Sequence, residues 1–246
     1  MDYRIEELLV TTIAPMLEGL GHVAVGAASP IPGAAALLAR HRSRGALRVS
    51  MLASRRHTSF TDGSRELFDC AAQGRIDAFF LGGGQIDGQA NINLVGIDGY
   101  PASRVRFPGS FGSAFMYFVV PRVILFSLAH TRRVMVPRVD FVSAPGTSPA
   151  GVHRPGGPYA MVTGRCVFRF DRAAARFTLT SVHPGQSLED IREHTGFEFD
   201  VAAEIVETRA PSADELALIR GELGAEIAET YPDFAQRVLG RESATA

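Results

Sequence analysis

The chain has 246 residues and a formal net charge of −1, from 25 basic and 26 acidic side chains; it offers no electrostatic case for a nucleic-acid or anionic membrane surface. Every one of those basic residues is arginine, and the absence of lysine excludes lysine Schiff bases, lysine-held pyridoxal phosphate and a Walker-type phosphate loop. With 46% hydrophobic and 21% charged residues the composition is that of an ordinary globular protein, long enough to bury a full core, and residues 1–246 are expected to form a single domain.

In chain order, Ile5, Leu8, Leu9, Ile13, Met16 and Leu17 fall at helical spacing and predict an opening helix ended near Gly19 and Gly21. The stretch Met1–Pro15 has no basic segment leading into an apolar one, so neither a signal peptide nor a membrane span is expected and the setting is read as cytoplasmic. His22–Gly26 predicts a first buried strand, Ala27–Gly33 a turn, and Ala34–His41 a helix. Leu47–Leu52 and Ile76–Leu81 predict two further short apolar strands. Such strands alternating with helices argue for parallel βαβ units.

Farther on, Val119–Leu128 and Arg133–Val142 are strand candidates, and Ser143–Pro158, rich in Pro and Gly, predicts an irregular loop. Met161–Phe170 and Arg176–His183 predict a hairpin closed over Asp171–Ala175. Two helices are expected beyond it, one capped by Ser187 and Asp190, the other by a capping box of Ser212 and Glu215. The tail from Arg241 is expected to fray.

Cys70 and Cys166 match no metal or redox spacing and are read as buried free thiols. The seven histidines show no i,i+4 pair and no carboxylate at ligand spacing, so no metal is inferred. The basic run Arg40, His41, Arg42, Arg44, Arg48 either meets phosphates or caps a helix end.

The densest signal is Phe79-Phe-Leu-Gly-Gly-Gly-Gln-Ile-Asp-Gly-Gln-Ala-Asn-Ile-Asn93, an apolar run broken by Gly82, Gly83 and Gly84 and followed by Gln85, Asp87, Asn91 and Asn93. A strand that ends in glycines sets backbone N–H groups at the carboxyl edge of a sheet, where open α/β folds bind ligands and where an oxyanion can be held. The same glycines also suit an ordinary strand-to-loop turn.

This stretch resembles the Gly-Gly-Ala-Gln-Ile-Asp…Gly-Asn-x-Asn signature of the β subunits of class I CoA-transferases, glutaconate CoA-transferase in particular. Arg106-Phe-Pro-Gly-Ser-Phe-Gly-Ser-Ala114, Arg132-Arg133, Val139-Asp-Phe-Val-Ser-Ala-Pro-Gly146, Ser187-Leu-Glu-Asp190 and Thr195-Gly-Phe-Glu-Phe-Asp-Val201 continue the resemblance in order. It implies an open, mostly parallel twisted sheet flanked by helices, ending in a hairpin and helices. It also implies an α-type partner subunit in an αβ or α2β2 enzyme, an acyl-CoA substrate, and no permanently bound cofactor, coenzyme A entering as part of the substrate. By the same resemblance Gly83 and Gly84 would donate to the thioester oxyanion, Gln85, Asn91 and Asn93 would shape the site, and Ser110, Phe111 and Gly112 would form its opposite wall.

The chain departs from the family at the nucleophile. The family's glutamate stands in a Glu-Ser-Gly motif at the end of the second core strand; here Leu47-Arg-Val-Ser-Met-Leu-Ala53 puts Met51 in that slot. A thioether has no acid–base capacity. Ser50, a Ser50–His57 pair and Glu66 are weaker substitutes. Phe111 replaces a loop glycine and Ala90 a turn glycine. The β subunit of the cholesterol ring-cleaving CoA hydrolase resembles the same family and also lacks the glutamate, its α subunit carrying the acid–base residue. Three outcomes follow: CoA transfer, hydrolytic or lyase cleavage of an acyl-CoA, or a catalytically silent scaffold subunit.

Overall fold

The computed structural model describes residues 2–240. In chain order it contains α1 (Ile5–Ile13), β1 (His22–Val25), α2 (Pro30–Arg42), β2 (Arg48–Met51), α3 (Gly63–Ala72) and β3 (Ala78–Leu81). Next come the short strands β4 (Gln85–Ile86), β5 (Ile92–Asn93), β6 (Gly96–Ile97) and β7 (Val105–Arg106), then α4 (Ser113–Val119) and β8 (Arg122–Ser127). β9 (Pro158–Thr163), β10 (Cys166–Asp171), β11 (Arg176–Val182), α5 (Leu188–His194), β12 (Asp200–Glu207), α6 (Ala213–Leu218), α7 (Gly224–Thr230) and α8 (Pro232–Leu239) complete it.

Backbone contacts divide the chain into two compact units. The first holds the residues up to Leu67, Arg75–Ala78 and those from Arg209 on; the second holds Phe68–Gly74 and Phe79–Thr208. In the first unit β1 lies parallel to β2 and to the start of β3, Val25 facing Met51 and Val23 facing Ala78. Strands β1 and β3 are buried on both faces, as the apolar runs Val23–Val25 and Ala78–Leu81 require, with His22 at the head of β1 buried through hydrogen bonds at both ring nitrogens. Asp77 closes the strand starts by accepting the N–H groups of Gly21 and His22, each at 2.8 Å.

In the second unit β8 and β9 are parallel, β9, β10 and β11 antiparallel, and β11 and β12 parallel. Strand β3 is common to both units, and the strand order is β12-β11-β10-β9-β8-β3-β1-β2. This is the mostly parallel α/β sheet the resemblance implies.

Several local expectations are corrected. Of the segment assigned to a turn, Ala27–Ala28 turns as expected, but Pro30–Gly33 is already helix, because Pro30 stands in the first turn of α2, where no N–H is required. Arg133–Val142 forms no strand; Pro137 withholds a donor, and the only ladder contact there is an isolated bridge from Met135 to Ile86. The run Met161–Phe170 is two strands, β9 and β10, broken at Gly164, where a methyl group would sit 2.3 Å from Leu128 O. The caps at Ser187 and Ser212 form as expected, each side chain accepting from the N–H three residues on. The Arg241 tail lies outside the described residues.

Candidate functional site

At the carboxyl end of β2, in the first unit, the chain makes a sharp elbow. Ala53 has φ +72°, a left-handed conformation that favours glycine. Met51 donates its N–H to His57 O at 3.0 Å, and its carbonyl accepts from Ser54 N at 3.2 Å and from the Thr58 hydroxyl. Its side chain is fully buried. It lies under the first turn of α2, where a methyl group at Gly33 would come 3.1 Å from Met51 Sδ and 3.5 Å from the Tyr231 ring.

The other candidates on this loop are already engaged. Ser50 has no exposed surface, and its hydroxyl meets His22 Nε2 at 2.9 Å and Ser59 Oγ at 3.1 Å. His22 in turn meets Arg75 O at 3.0 Å through Nδ1. The Ser50–His57 pair, one of the weaker substitutes for the glutamate, is therefore not formed. His57 instead places Nε2 2.9 Å from Glu226 Oε2; burial, opposed by Glu226, lowers its pKa. Glu66 accepts from the Thr61 N–H at 2.6 Å, the Thr61 hydroxyl at 3.0 Å and the Asp62 N–H at 3.3 Å, bonds that lower its pKa and commit it to the start of α3.

In the second unit the glycine stretch following β3 packs closely. A methyl group on Gly83 would lie 2.6 Å from Ile92 Cγ2, and one on Gly84 2.2 Å from the Phe107 ring. Gly84 N–H donates to Asn93 O at 2.9 Å, which closes it as an oxyanion donor and corrects that part of the expectation. Gly83 N–H has no hydrogen-bond partner among the described residues.

The polar cluster that follows is a closed network. Gln85 Nε2 donates to Asp140 Oδ2 at 2.8 Å, and its Oε1 accepts from Asn93 Nδ2 at 2.8 Å and from Asp140 N at 3.0 Å. Asn93, with no exposed surface, also donates to Gly96 O at 2.7 Å and accepts from the Val95 and Gly96 N–H groups. Asn91 donates to Asp87 Oδ2 at 3.1 Å and accepts from Gly146 N at 3.1 Å. The Asn93 amide thus has both donors and both lone pairs in use, which leaves it nothing to offer a ligand, and the network as a whole holds the loop's shape. Asp140 completes it, a residue that spacing within the glycine stretch does not single out. Its signal in the sequence is the Val-Asp pair at the head of the matched Val139–Gly146 motif.

From the Arg106–Ala114 loop it is Phe107 that reaches Gly84. Phe111 and Gly112 gather instead on Phe68: the Phe111 ring is 5.6 Å from it, and a methyl group at Gly112 would come 2.1 Å from it. Ser110 turns the chain into α4, its carbonyl accepting from Ser113 N at 2.8 Å. Phe111 is 85% exposed at φ +36°. Beside Gly84 and Phe107 opens a cavity of about 640 Å³ with a mainly aliphatic lining that includes Val105, Val134 and Val136. The Arg104 and Arg133 side chains also line it; Arg104 is held by Asp98 at 2.6 Å, and Arg133 has no ion-pair partner among the described residues. Among those residues no group of His, Cys, Asp and Glu is placed to hold a metal ion, and no helix is long and apolar enough to cross a membrane.

A family model described as Coenzyme A transferase matches residues 7–194. The chain belongs to that family. Its curated relatives include the β subunit of 3-oxoadipate CoA-transferase from Pseudomonas knackmussii, 35% identical over 60% of this chain and 58% of that one. The β subunit of glutaconate CoA-transferase from Acidaminococcus fermentans is 34% identical over 58% of this chain and 56% of that one. The cholesterol ring-cleaving hydrolase IpdB subunit from Rhodococcus jostii is 30% identical over 63% and 62%. The chain thus spans less than two thirds of the length of these relatives.

Among solved structures, glutaconate CoA-transferase from A. fermentans superposes with a TM-score of 0.80, covering 98% of this chain and 99% of that one at 24% identity, a likeness of fold. A point variant of the decarboxylase AibA/AibB gives a TM-score of 0.76 at 26% identity, over 91% of this chain and 99% of that one. The proteins this chain is similar to are thus named as transferases, a hydrolase and a decarboxylase.

Proposed function

We propose that this chain is the β half of a two-subunit enzyme acting on an acyl-CoA thioester, binding and shaping the substrate while an α-type chain supplies the acid–base group. The outcome this reading favours is cleavage of the acyl-CoA, by water or by a lyase step, over passage of CoA to a second acid. Met51 carries it. In a transferase a β-subunit carboxylate attacks the thioester and becomes a glutamyl-CoA adduct; Met51 has no carboxylate for that step and no exposed surface from which to make it.

The register that puts Met51 in the glutamate slot is supported by the backbone. Counting on from Met51 through the Glu-Ser-Gly pattern, the glycine falls on Ala53, the residue with φ +72°. Nor does another group on this loop take over: Ser50 and Glu66 are hydrogen-bonded to internal partners, and His57 is buried with Nε2 2.9 Å from Glu226 Oε2. A base on the partner would take a proton from water and the hydroxide would add to a carbonyl within the acyl group; the oxyanion, to which Gly83 N–H is the donor left open, would collapse by breaking the adjoining carbon–carbon bond, and the carbanion so released would take back the proton, leaving the thioester intact with water gained. The cavity beside Gly84, aliphatic with the unpaired Arg133 at its lining, suits an apolar acyl group. The likeness to two transferase β subunits supports the transfer reading, which needs a nucleophile from outside this chain.

The test is to incubate the complex of this chain and its partner with a panel of acyl-CoAs, with and without an acceptor acid, and to follow free thiol and new thioester by mass spectrometry. A product that gains water with CoA retained, or loses a fragment with CoA retained, supports the proposal. Thioester on the acceptor means transfer and overturns it. No turnover with any donor favours the silent scaffold.

A further inference from the structure

The loop between β2 and α3 closes on Met51 through bonds of its own, from Met51 N–H to His57 O and from Ser54 and Thr58 to Met51 O, and a second set of contacts comes from outside it. The loop is held from the C-terminal segment of the same unit. Glu226 and Glu229, three apart on α7, lie on one face of that helix. Glu226 Oε2 stands 2.9 Å from His57 Nε2, and His57 O is the acceptor for Met51 N–H. Glu229 accepts twice from the loop, Oε1 from the Arg55 N–H at 2.9 Å and Oε2 from the Ser54 hydroxyl at 2.8 Å, and Oε2 also accepts from the neighbouring Thr230 hydroxyl at 2.7 Å. Ser54 Oγ meanwhile accepts from the N–H groups of Arg56 at 3.2 Å and His57 at 3.0 Å, so its proton is directed at Glu229. Just past α7, the Tyr231 hydroxyl donates to Gly26 O at 3.1 Å and accepts from Ser29 N at 3.4 Å, which fixes the loop after β1 as well.

We infer that Glu226 and Glu229 are positioning residues: a carboxylate clasp on α7 that sets the loop at the carboxyl end of β2, with Ser54 and Arg55 forming the cradle that receives Glu229. Apolar packing of α7 is supplied separately by Ile227, whose Cδ1 lies 3.6 Å from where a methyl group on Gly33 would be. The Glu229 bonds therefore add a directional hold that helix packing does not require, and Glu226 sets His57 beside it. A carboxylate accepting one backbone N–H and one hydroxyl from the loop makes charge-assisted bonds, stronger than neutral ones. The clasp touches no substrate; it acts through the backbone of residues 51–57. Its role in turnover rests on the acyl-CoA reading above, whereas its existence does not.

The experiment compares the wild-type full chain with Glu229→Ala and Glu229→Gln, each with sodium formate or with sodium chloride at equal ionic strength. The readout is hydrogen exchange of the amides of residues 51–57. Removing the carboxylate is expected to raise exchange at Arg55 by about tenfold. Glutamine, which keeps an acceptor for the N–H and a polar partner for the hydroxyl, is expected to stay within about threefold of wild type. Formate is expected to restore protection in Glu229→Ala, and chloride is not. Unchanged exchange in Glu229→Ala, or equal effects of formate and chloride, overturns the clasp. In the complex, an acyl-CoA that turns over should show kcat lowered in Glu229→Ala and recovered in Glu229→Gln or with formate. Formate-dependent protection without turnover of any acyl-CoA overturns the acyl-CoA reading and leaves the cradle standing; turnover without the formate effect overturns the cradle alone.

Discussion

At position 51 a single side chain decides which chemistry this chain can contribute. Met51 is packed at zero exposure beneath Gly33, so returning the family's carboxylate does not simply return a nucleophile. A glutamate there would lose its hydration without gaining a partner, and burial pushes a carboxyl toward its neutral form. Met51→Glu is expected to lower unfolding stability by about 3 kcal/mol and to give no covalent CoA adduct at neutral pH. Met51→Leu, which keeps volume and polarity, should cost under about 1.5 kcal/mol. Urea denaturation, with mass spectrometry after exposure to acyl-CoA, checks both. A stable Met51→Glu variant that accumulates an adduct would show the slot to be open in solution, and the case for cleavage over transfer would weaken.

At the scale of elements, the elbow after β2 keeps a left-handed residue although its glycine has become Ala53. The left-handed region costs a residue with a Cβ about 1–2 kcal/mol, while glycine in the unfolded chain gives back about 0.5–1 kcal/mol of that advantage. Ala53→Gly should therefore raise stability by up to about 1 kcal/mol, seen as a higher urea midpoint at unchanged slope. A lower midpoint would mean that the Ala53 methyl group makes contacts worth more than the strain. This elbow also marks how far the sequence reaches. Apolar runs foretold β1, β2 and β3, since doubly buried parallel strands need little but hydrophobic residues, and capping chemistry foretold α5 and α6. The start of α2 was hidden by prolines that read as a turn, and β12 was hidden because its residues are half or fully exposed and follow no buried run. Helix α4 escaped because Ser113–Val119 is too short to show a period. At the site, the motif located the glycines and amides but could not say that Gly84 N–H is spent on Asn93 or that Ser50 is tied to His22. Those pairings are set by tertiary approach, which spacing along a chain does not encode.

Across the whole molecule, histidines are buried where their neutral form is needed. His22 and His57 lie in the first unit, and His130 and His183 in the second, and desolvation lowers the pKa of each. His130, between Thr163 Oγ1 at 2.8 Å and Thr195 Oγ1 at 2.9 Å, is brought from 6.5 down to about 4. Above pH 6.5 the ring is neutral in both folded and unfolded chains, and folding is unaffected by proton uptake there. As the pH falls below 6.5 the unfolded chain takes up the proton and the folded one does not, so stability is lost progressively until about pH 4. For His130 alone the loss is on the order of 3 kcal/mol. Glu215, held near 2 by hydrogen bonds from Arg209 and Ser212 against the cost of its burial, acts in a lower window, losing its contribution only as the pH drops below 4.5. The interval between pH 6.5 and 4.5 therefore belongs to the histidines. Urea midpoints taken stepwise through it should fall, and those of His130→Gln should fall less steeply although that variant starts from a lower stability. Because neutral histidines are buried in both units, amide exchange should report the loss in each of them. A midpoint that stays level down to about pH 4.5, or a slope unaltered in His130→Gln, would mean that these rings are hydrated and charged in the folded chain.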